Sequence, residues 1–298
     1  MLDTNPRSSL AISRQMWTRF EPIHAVTYFA QEARDAYDAA GLRGYWRGYF
    51  AGRTAPLGPV GSAPVIALFN GFAPGMVQRA LPAVWSLADP AAVLDARAAG
   101  AAAALRRLAP DARVVEEAAE VLERAAARLA WPGRPLGAAN ADLPRRVDPY
   151  ERLWQAAATL REHRGDGHVA ALVAAGLDGL PMLVLRCARD LGRDLVQPAR
   201  GWTDEEWDAA AARLTEQGLL DAAGVITEEA ERRIVAVERA TDQAAAGAWA
   251  DRPADEIVLA AKALLPISRA CVAELPGRTP IGVLTSWDPD NDPSLLAI

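Results

Sequence analysis

The chain has 298 residues, 51% hydrophobic and 23% charged, a balance that fits a folded globular protein and excludes low-complexity or collagen-like sequence. With 32 basic against 38 acidic residues the net charge is -6, so the molecule as a whole repels polyanions. No stretch approaches the roughly 18 uninterrupted apolar residues of a membrane helix, and positions 1–10 lack a basic segment followed by an apolar run, so a cytoplasmic protein without membrane partners is expected.

Cys187 and Cys271 are too few for a disulfide framework, form no CxxC pair, and are expected to be small buried hydrophobes. Lys262 is the only lysine; every other basic residue is arginine, a bias typical of GC-rich coding sequence that lowers the information carried by each arginine.

Helix signals dominate the first part of the chain. Pro22 suits a first helical turn, with Ile23, Val26, Ala30, Ala33 and Tyr37 on one face and Gly41 as C-terminal cap. His24, Tyr28 and Glu32 then share a neighbouring face. A short helix over 43–51 ends at Gly52, and a Pro/Gly turn occupies 55–59. Ser62 can cap the apolar run 65–69, which Asn70, Gly71 and Pro74 divide into two helical pieces. Asp89-Pro90 opens an alanine-rich helix to Leu108, and 111–130 forms another, the two pairing as an antiparallel hairpin.

Residues 131–149, with Pro132, Gly133, Pro135, Gly137, Pro144 and Pro149, read as a linker between a unit over 1–130 and a second over 150–298. In the second, 150–164 is helical, Asp166 caps 167–175, and Gly176 closes that helix. Pro181 opens the next. Thr203 with Glu206 makes a capping box for 204–217. Two very short strands over 219–226 form a wing. Thr227 caps a helix to about 248, 255–273 forms another, and the Pro-, Asp- and Asn-rich tail from Pro276 is expected over the surface.

The halves echo each other. Met16-Trp17 followed by Ala39-Ala40-Gly41-Leu42-Arg43-Gly44 recurs as Leu153-Trp154 followed by Ala174-Ala175-Gly176-Leu177-Asp178-Gly179, which points to tandem duplication. The run Gly201-Trp202-Thr203-Asp204-Glu205-Glu206-Trp207, continuing through Arg213 to Leu220 and Ile226 to Ala230, resembles the winged helix of MarR-type regulators. With Glu21 to Phe29 and Gly48 to Arg53 included, nearly the whole chain resembles the actinobacterial SalK-like helix-turn-helix family. That resemblance implies a mostly α fold of two winged-helix-like units with added helical hairpins, and a place in secondary metabolism.

A winged helix that reads DNA presents basic or amide side chains to the groove. Here the helix opens with Asp204, Glu205, Glu206 and Asp208, and 201–246 holds eleven acidic against four basic residues. The acids suit the helix dipole and oppose phosphate. DNA binding is not expected of this unit. Between Arg43 and Arg53, in contrast, Tyr45, Trp46, Arg47, Tyr49 and Phe50 mix aromatics and arginines without an acid. That run reads as a helix with a buried aromatic face, as a pocket for an anionic or aromatic small molecule, or as a nucleic-acid surface.

The histidines are His24, His163 and His168. If the units pack about a pseudo-twofold, all three approach one cleft, with Glu162 or Asp166 as carboxylate partner; their spacing matches no zinc pattern. There is no GxSxG, Walker A, GxGxxG or HExxH, so no cofactor or metal is expected. The candidate catalytic set is His24, Tyr28 and Glu32, for acid-base work of an isomerase or cyclase type. The candidate ligand-binding set is His24, Tyr28, Tyr45, Arg47, Tyr49, Arg53, Asn70, His163 and His168. The leading expectation is a small-molecule-binding protein, homodimeric through the apolar faces of helices 227–248 and 255–273. A ligand-responsive regulator and a cofactor-free enzyme stay open.

Overall fold

A computed structural model describes residues 9–177, 179–277 and 279. The polar tail beyond these lies outside the described residues, as does the side chain of Asp178. The described chain forms α1 (Ser9–Phe29), α2 (Gln31–Ala39), α3 (Tyr45–Thr54), α4 (Ser62–Leu68), α5 (Pro74–Ala80), α6 (Pro90–Leu108), α7 (Ala112–Ala126), α8 (Pro135–Ala141), α9 (Pro149–Ala174), α10 (Leu180–Arg189), α11 (Arg193–Arg200), α12 (Asp204–Glu216), α13 (Glu228–Ala245) and α14 (Ala254–Glu274). The expected wing reduces to one antiparallel bridge, Leu220 with Ile226. None of these helices is long and apolar enough to cross a membrane.

Several boundaries follow from caps legible in the sequence. The Asp89 carboxylate accepts from Ala92 N–H, Thr227 Oγ1 accepts from Ala230 N–H, and the Thr203–Glu206 capping box has both of its bonds. Gly41 and Gly176 end α2 and α9 with positive φ of 89° and 64°, a backbone region that favours glycine.

Other boundaries differ. Pro22 lies inside α1 and not at its start. It gives up one backbone bond, and burial of Met16, Phe20 and Ile23 along the same helix holds the turns on both sides together. The chain then breaks at Ala30, whose ψ is 143°, so the expected continuous helix becomes α1 and α2. Ser62 begins α4 as a helical residue, and Gly61 precedes it as the cap without a side-chain bond.

α9 runs unbroken through Gly165, Asp166 and Gly167, where a break was expected. Glycine at 167 permits close approach: a Cβ there would meet Arg134 Nη1 at 2.8 Å and Ala244 Cβ at 3.0 Å. Asp166 caps a different element; its Oδ2 accepts from Gly137 N–H of α8 at 2.9 Å. α8 occupies the stretch expected as a linker, burying Leu136, Gly137 and Asn140 against α9. The expected α6–α7 hairpin is replaced by separate docking: α6 packs on α2 and α9, and α7 lies along α9.

The two halves repeat one order of elements. α3 and α10 each follow a positive-φ glycine pair, Gly41 with Gly44 and Gly176 with Gly179. α4, α5, α6 and α7 then correspond in sequence to α11, α12, α13 and α14. Packing exchanges the ends, because α7 lies along α9 of the other half while α14 lies along α1. The resulting central core joins Met16 and Phe20, Val115 and Leu122, Leu153 and Trp154, and Leu264 and Ile267. Each half keeps its own smaller core, one around Phe50, Phe69 and Phe72, the other around Leu185, Trp207 and Ile234.

Most of the apolar surface of α13 and α14, on which a homodimer was expected to rest, is packed within the chain, with Leu259 of α14 left exposed. Light scattering on the purified protein is expected to give the mass of one chain, 31.8 kDa. The α8 packing gives a second expectation. A Cβ at Gly137 would lie 2.8 Å from the His163 Cα, a backbone atom that cannot turn aside. Gly137→Ala should cost about 1–3 kcal/mol in urea unfolding, whereas a change at Gly133, where an added Cβ meets nothing within 4 Å, should not act through crowding.

Candidate functional site

The exchanged packing leaves a cavity of about 320 Å³ between the halves, walled by α1, α3 and the α4–α5 connection on one side and by α9, α10, α11 and α13 on the other. Its wall is aromatic and cationic. Tyr28, Tyr45, Trp46, Tyr49, Phe69 and Phe72 supply rings, and Arg53, Arg161, Arg164, Arg186 and Arg200 face Glu21, Glu162 and Glu238.

α3 delivers the central groups. Its Phe50 side is buried in the smaller core of the first half, which turns Tyr49 and Arg53, one helical turn apart, toward α9. Arg53 forks onto the Glu162 carboxylate, Nε to Oε1 at 2.9 Å and Nη2 to Oε2 at 2.8 Å, while its Nη1 donates to the Tyr49 hydroxyl at 3.1 Å. Arg161 Nη1 donates to the same carboxylate at 2.9 Å, and its Nε lies 3.6 Å from Glu21 Oε1. Burial alone would raise the Glu162 pKa, but Arg161 and Arg53 outweigh it and hold the group well below the usual carboxylate range. Arg53 also stacks over the Phe69 ring at 4.0 Å and Arg200 over Phe72 at 4.4 Å.

His24 lies behind this wall. It is 3% exposed, its ring stacks on Trp154 at 5.8 Å, and its Nε2 is 2.9 Å from the Tyr28 hydroxyl. Tyr28 is thus the member of the pair that lines the cavity. Burial, then Arg161, drives the His24 pKa well below its ordinary value, so the ring is neutral at physiological pH. Glu32 does not join them. The break at Ala30 swings it to the surface, where its carboxylate takes Arg107 Nε at 2.6 Å.

The remaining expected site residues divide. Tyr45 stands at the cavity edge, 41% exposed. Asn70 lines the cavity and ties the halves, its Oδ1 accepting from Gly179 N–H at 3.1 Å. Arg47 points outward and donates to Arg43 O, two residues before α3 begins, at 3.1 Å. His168 lines the cavity; because the Thr241 hydroxyl donates to Val237 O, its oxygen accepts from His168 Nδ1–H at 2.9 Å. His163 faces away, donating from Nε2 to Ala130 O at 3.0 Å and meeting Trp131 edge-on. The three histidines therefore do not meet in one cleft. Among the described residues no group of three or more His, Cys, Asp or Glu side chains is placed to hold a metal.

Arg161, Arg164, Arg200, Met182 and Leu183 were not foreseen as wall residues. For Arg161 and Arg164 the sequence signal was the dense run Arg161-Glu162-His163-Arg164, which an arginine-rich background conceals.

A helix-turn-helix family model matches residues 13–279, and the chain belongs to that helix-turn-helix family. No curated protein and no solved structure matches it.

The histidines set an acid response. Burial lowers all three pKa values, that of His163 to about 4, so below 6.5 the unfolded chain takes up protons that the folded one refuses. Stability therefore falls as pH drops from 6.5 toward 4. Asp166 acts in the opposite sense, since burial raises its carboxyl from 3.8 to about 6 and its contribution weakens as pH rises through that value. Burial raises the Asp242 carboxyl as well, so three histidines stand against two carboxyls, and urea midpoints should decline on acidification across this window. His163→Gln, which can keep the bond to Ala130 O, should flatten the decline; an unchanged slope would show that His163 does not contribute.

Proposed function

We propose that the chain is a small-molecule-binding protein on a winged-helix scaffold that has lost DNA binding. The observation that carries the reading is the cavity between the halves, a concave space walled by rings with a few convergent polar groups. Its volume suits a ligand of one or two rings. The finer likeness to MarR-type regulators and to the SalK-like group supports the scaffold and a setting in secondary metabolism.

Loss of DNA binding is supported by the reading helices. α12 opens with Asp204, Glu205 and Glu206, and the cation nearest its start, Arg193, is held by Asp204 and Asp208 at 2.9 and 2.7 Å. The wing tip, 221–224, carries no basic residue. The counterpart α5 in the first half has seven residues and buries Met76, Val77 and Ala80, which leaves little helix to enter a groove. A duplex therefore meets one acidic reader and one buried stub.

Native mass spectrometry of protein purified under mild conditions should show an added small-molecule mass at one per chain. Leu183→Trp, which fills the cavity from α10, should remove it without a large change in melting temperature. Protein that carries no such mass, and gains none from a compound library, would overturn the reading. Salt-dependent binding to duplex DNA at ~0.15 M ionic strength would favour a regulator instead.

A further inference from the structure

On the cavity wall the Tyr49 hydroxyl has its hydrogen bonding met by the protein on one side. Its oxygen accepts from Arg53 Nη1 at 3.1 Å, and among the described residues no side chain or carbonyl accepts its own proton. Burial would push this phenol up, but Arg53, Arg200 and Arg161 outweigh burial and pull it below its ordinary value. Tyr28, with its ring centroid 5.2 Å away, goes the other way: burial raises it, and its hydroxyl is engaged by His24. The potential at the Tyr49 oxygen is thus positive, and a phenol acidified in this way is a stronger donor to an anion.

The surroundings define the rest of the ligand. Tyr45 stacks near Tyr49 at 6.2 Å and 22°, while Trp46 and Phe72 meet it at 5.4 and 5.5 Å. These rings offer flat apolar surface next to the donor. Glu21 and Glu162 lie on the same wall, so a doubly charged phosphate would face two carboxylates at close range.

We propose that the cavity takes a carboxylic acid with a flat apolar body, its carboxylate accepting the Tyr49 hydroxyl proton beside Arg161 and Arg200 and its body lying among Tyr45, Trp46 and Phe72. The assignment rests on the ligand-binding reading and names the chemistry of that same site. Tyr49 and the arginines hold the ligand's charge, and His24 acts only through Tyr28.

Three acids paired with their amides test it: benzoate with benzamide, 2-naphthoate with 2-naphthamide, and indole-3-acetate with its amide, each titrated calorimetrically at neutral pH. The expected result is that the acids that bind do so about tenfold more tightly than their amides, the scale of one hydrogen bond to a charged group. Tyr49→Phe keeps the ring and removes the proton, so it should cost the acids more than the amides, whose carbonyl accepts a weaker bond from the same hydroxyl, and should largely close that gap. Arg200→Gln should narrow the gap as well, and serves if Tyr49→Phe does not fold. Amides that bind as tightly as acids, or a gap that survives both variants, would overturn the carboxylate assignment and leave the ligand-binding reading standing. Failure of all six compounds to bind overturns the assignment too; the reading itself falls only if mass spectrometry also finds no ligand.

Discussion

The Glu162 carboxylate, taken out of water at 3% side-chain exposure, has to be met by cations or the site does not hold its shape. A buried charge of this kind costs several kcal/mol in desolvation, and deletion of one partner leaves an uncompensated ion. Arg53 from the first half and Arg161 beside Glu162 in the second supply the compensation. Arg53 is pinned in this way across to α9, and Tyr49, one turn earlier on α3, lines the cavity with it. The ion cluster fixes geometry first and contributes to stability second.

The cavity itself is a product of the exchange of helices between halves. Neither half encloses it alone, since its walls come from α1 and α3 on one side and from α9, α10, α11 and α13 on the other. The halves share an order of elements but not a surface. Where the first presents Tyr45, Trp46 and Tyr49, the second presents Leu183 and Arg186 near the matching position, so the cavity has rings on one side and aliphatic and cationic groups on the other.

Much of this was legible in the sequence where a local rule decides the outcome. The Asp89, Thr203 and Thr227 caps, the αL glycines and the His24–Tyr28 pair one turn apart all depend on neighbours within four residues. Glu32 misled because its register assumed a helix that breaks at Ala30, and nothing in the identity of that alanine announces the break. The turn expected at Gly165–Gly167 and the linker expected at 131–149 failed for a related reason. Glycine there serves close packing of α8 and α13 on α9, and tertiary contact outweighs helix propensity. Arg161 and Arg200 stayed hidden since their role depends on which helices meet across the molecule, and the arginine-rich background removes the contrast that might have marked them.

The exchanged order of packing also bears on how the chain comes to fold. The apolar side of α1 finds its partner in α14, the last helix described, so during synthesis it waits for almost the whole polypeptide before its native cover exists. α7 likewise waits for α9. An early-emerging half with a long-delayed mate is exposed to wrong encounters with nascent copies of itself, and separate expression of either half would leave a sticky ridge uncovered in both products.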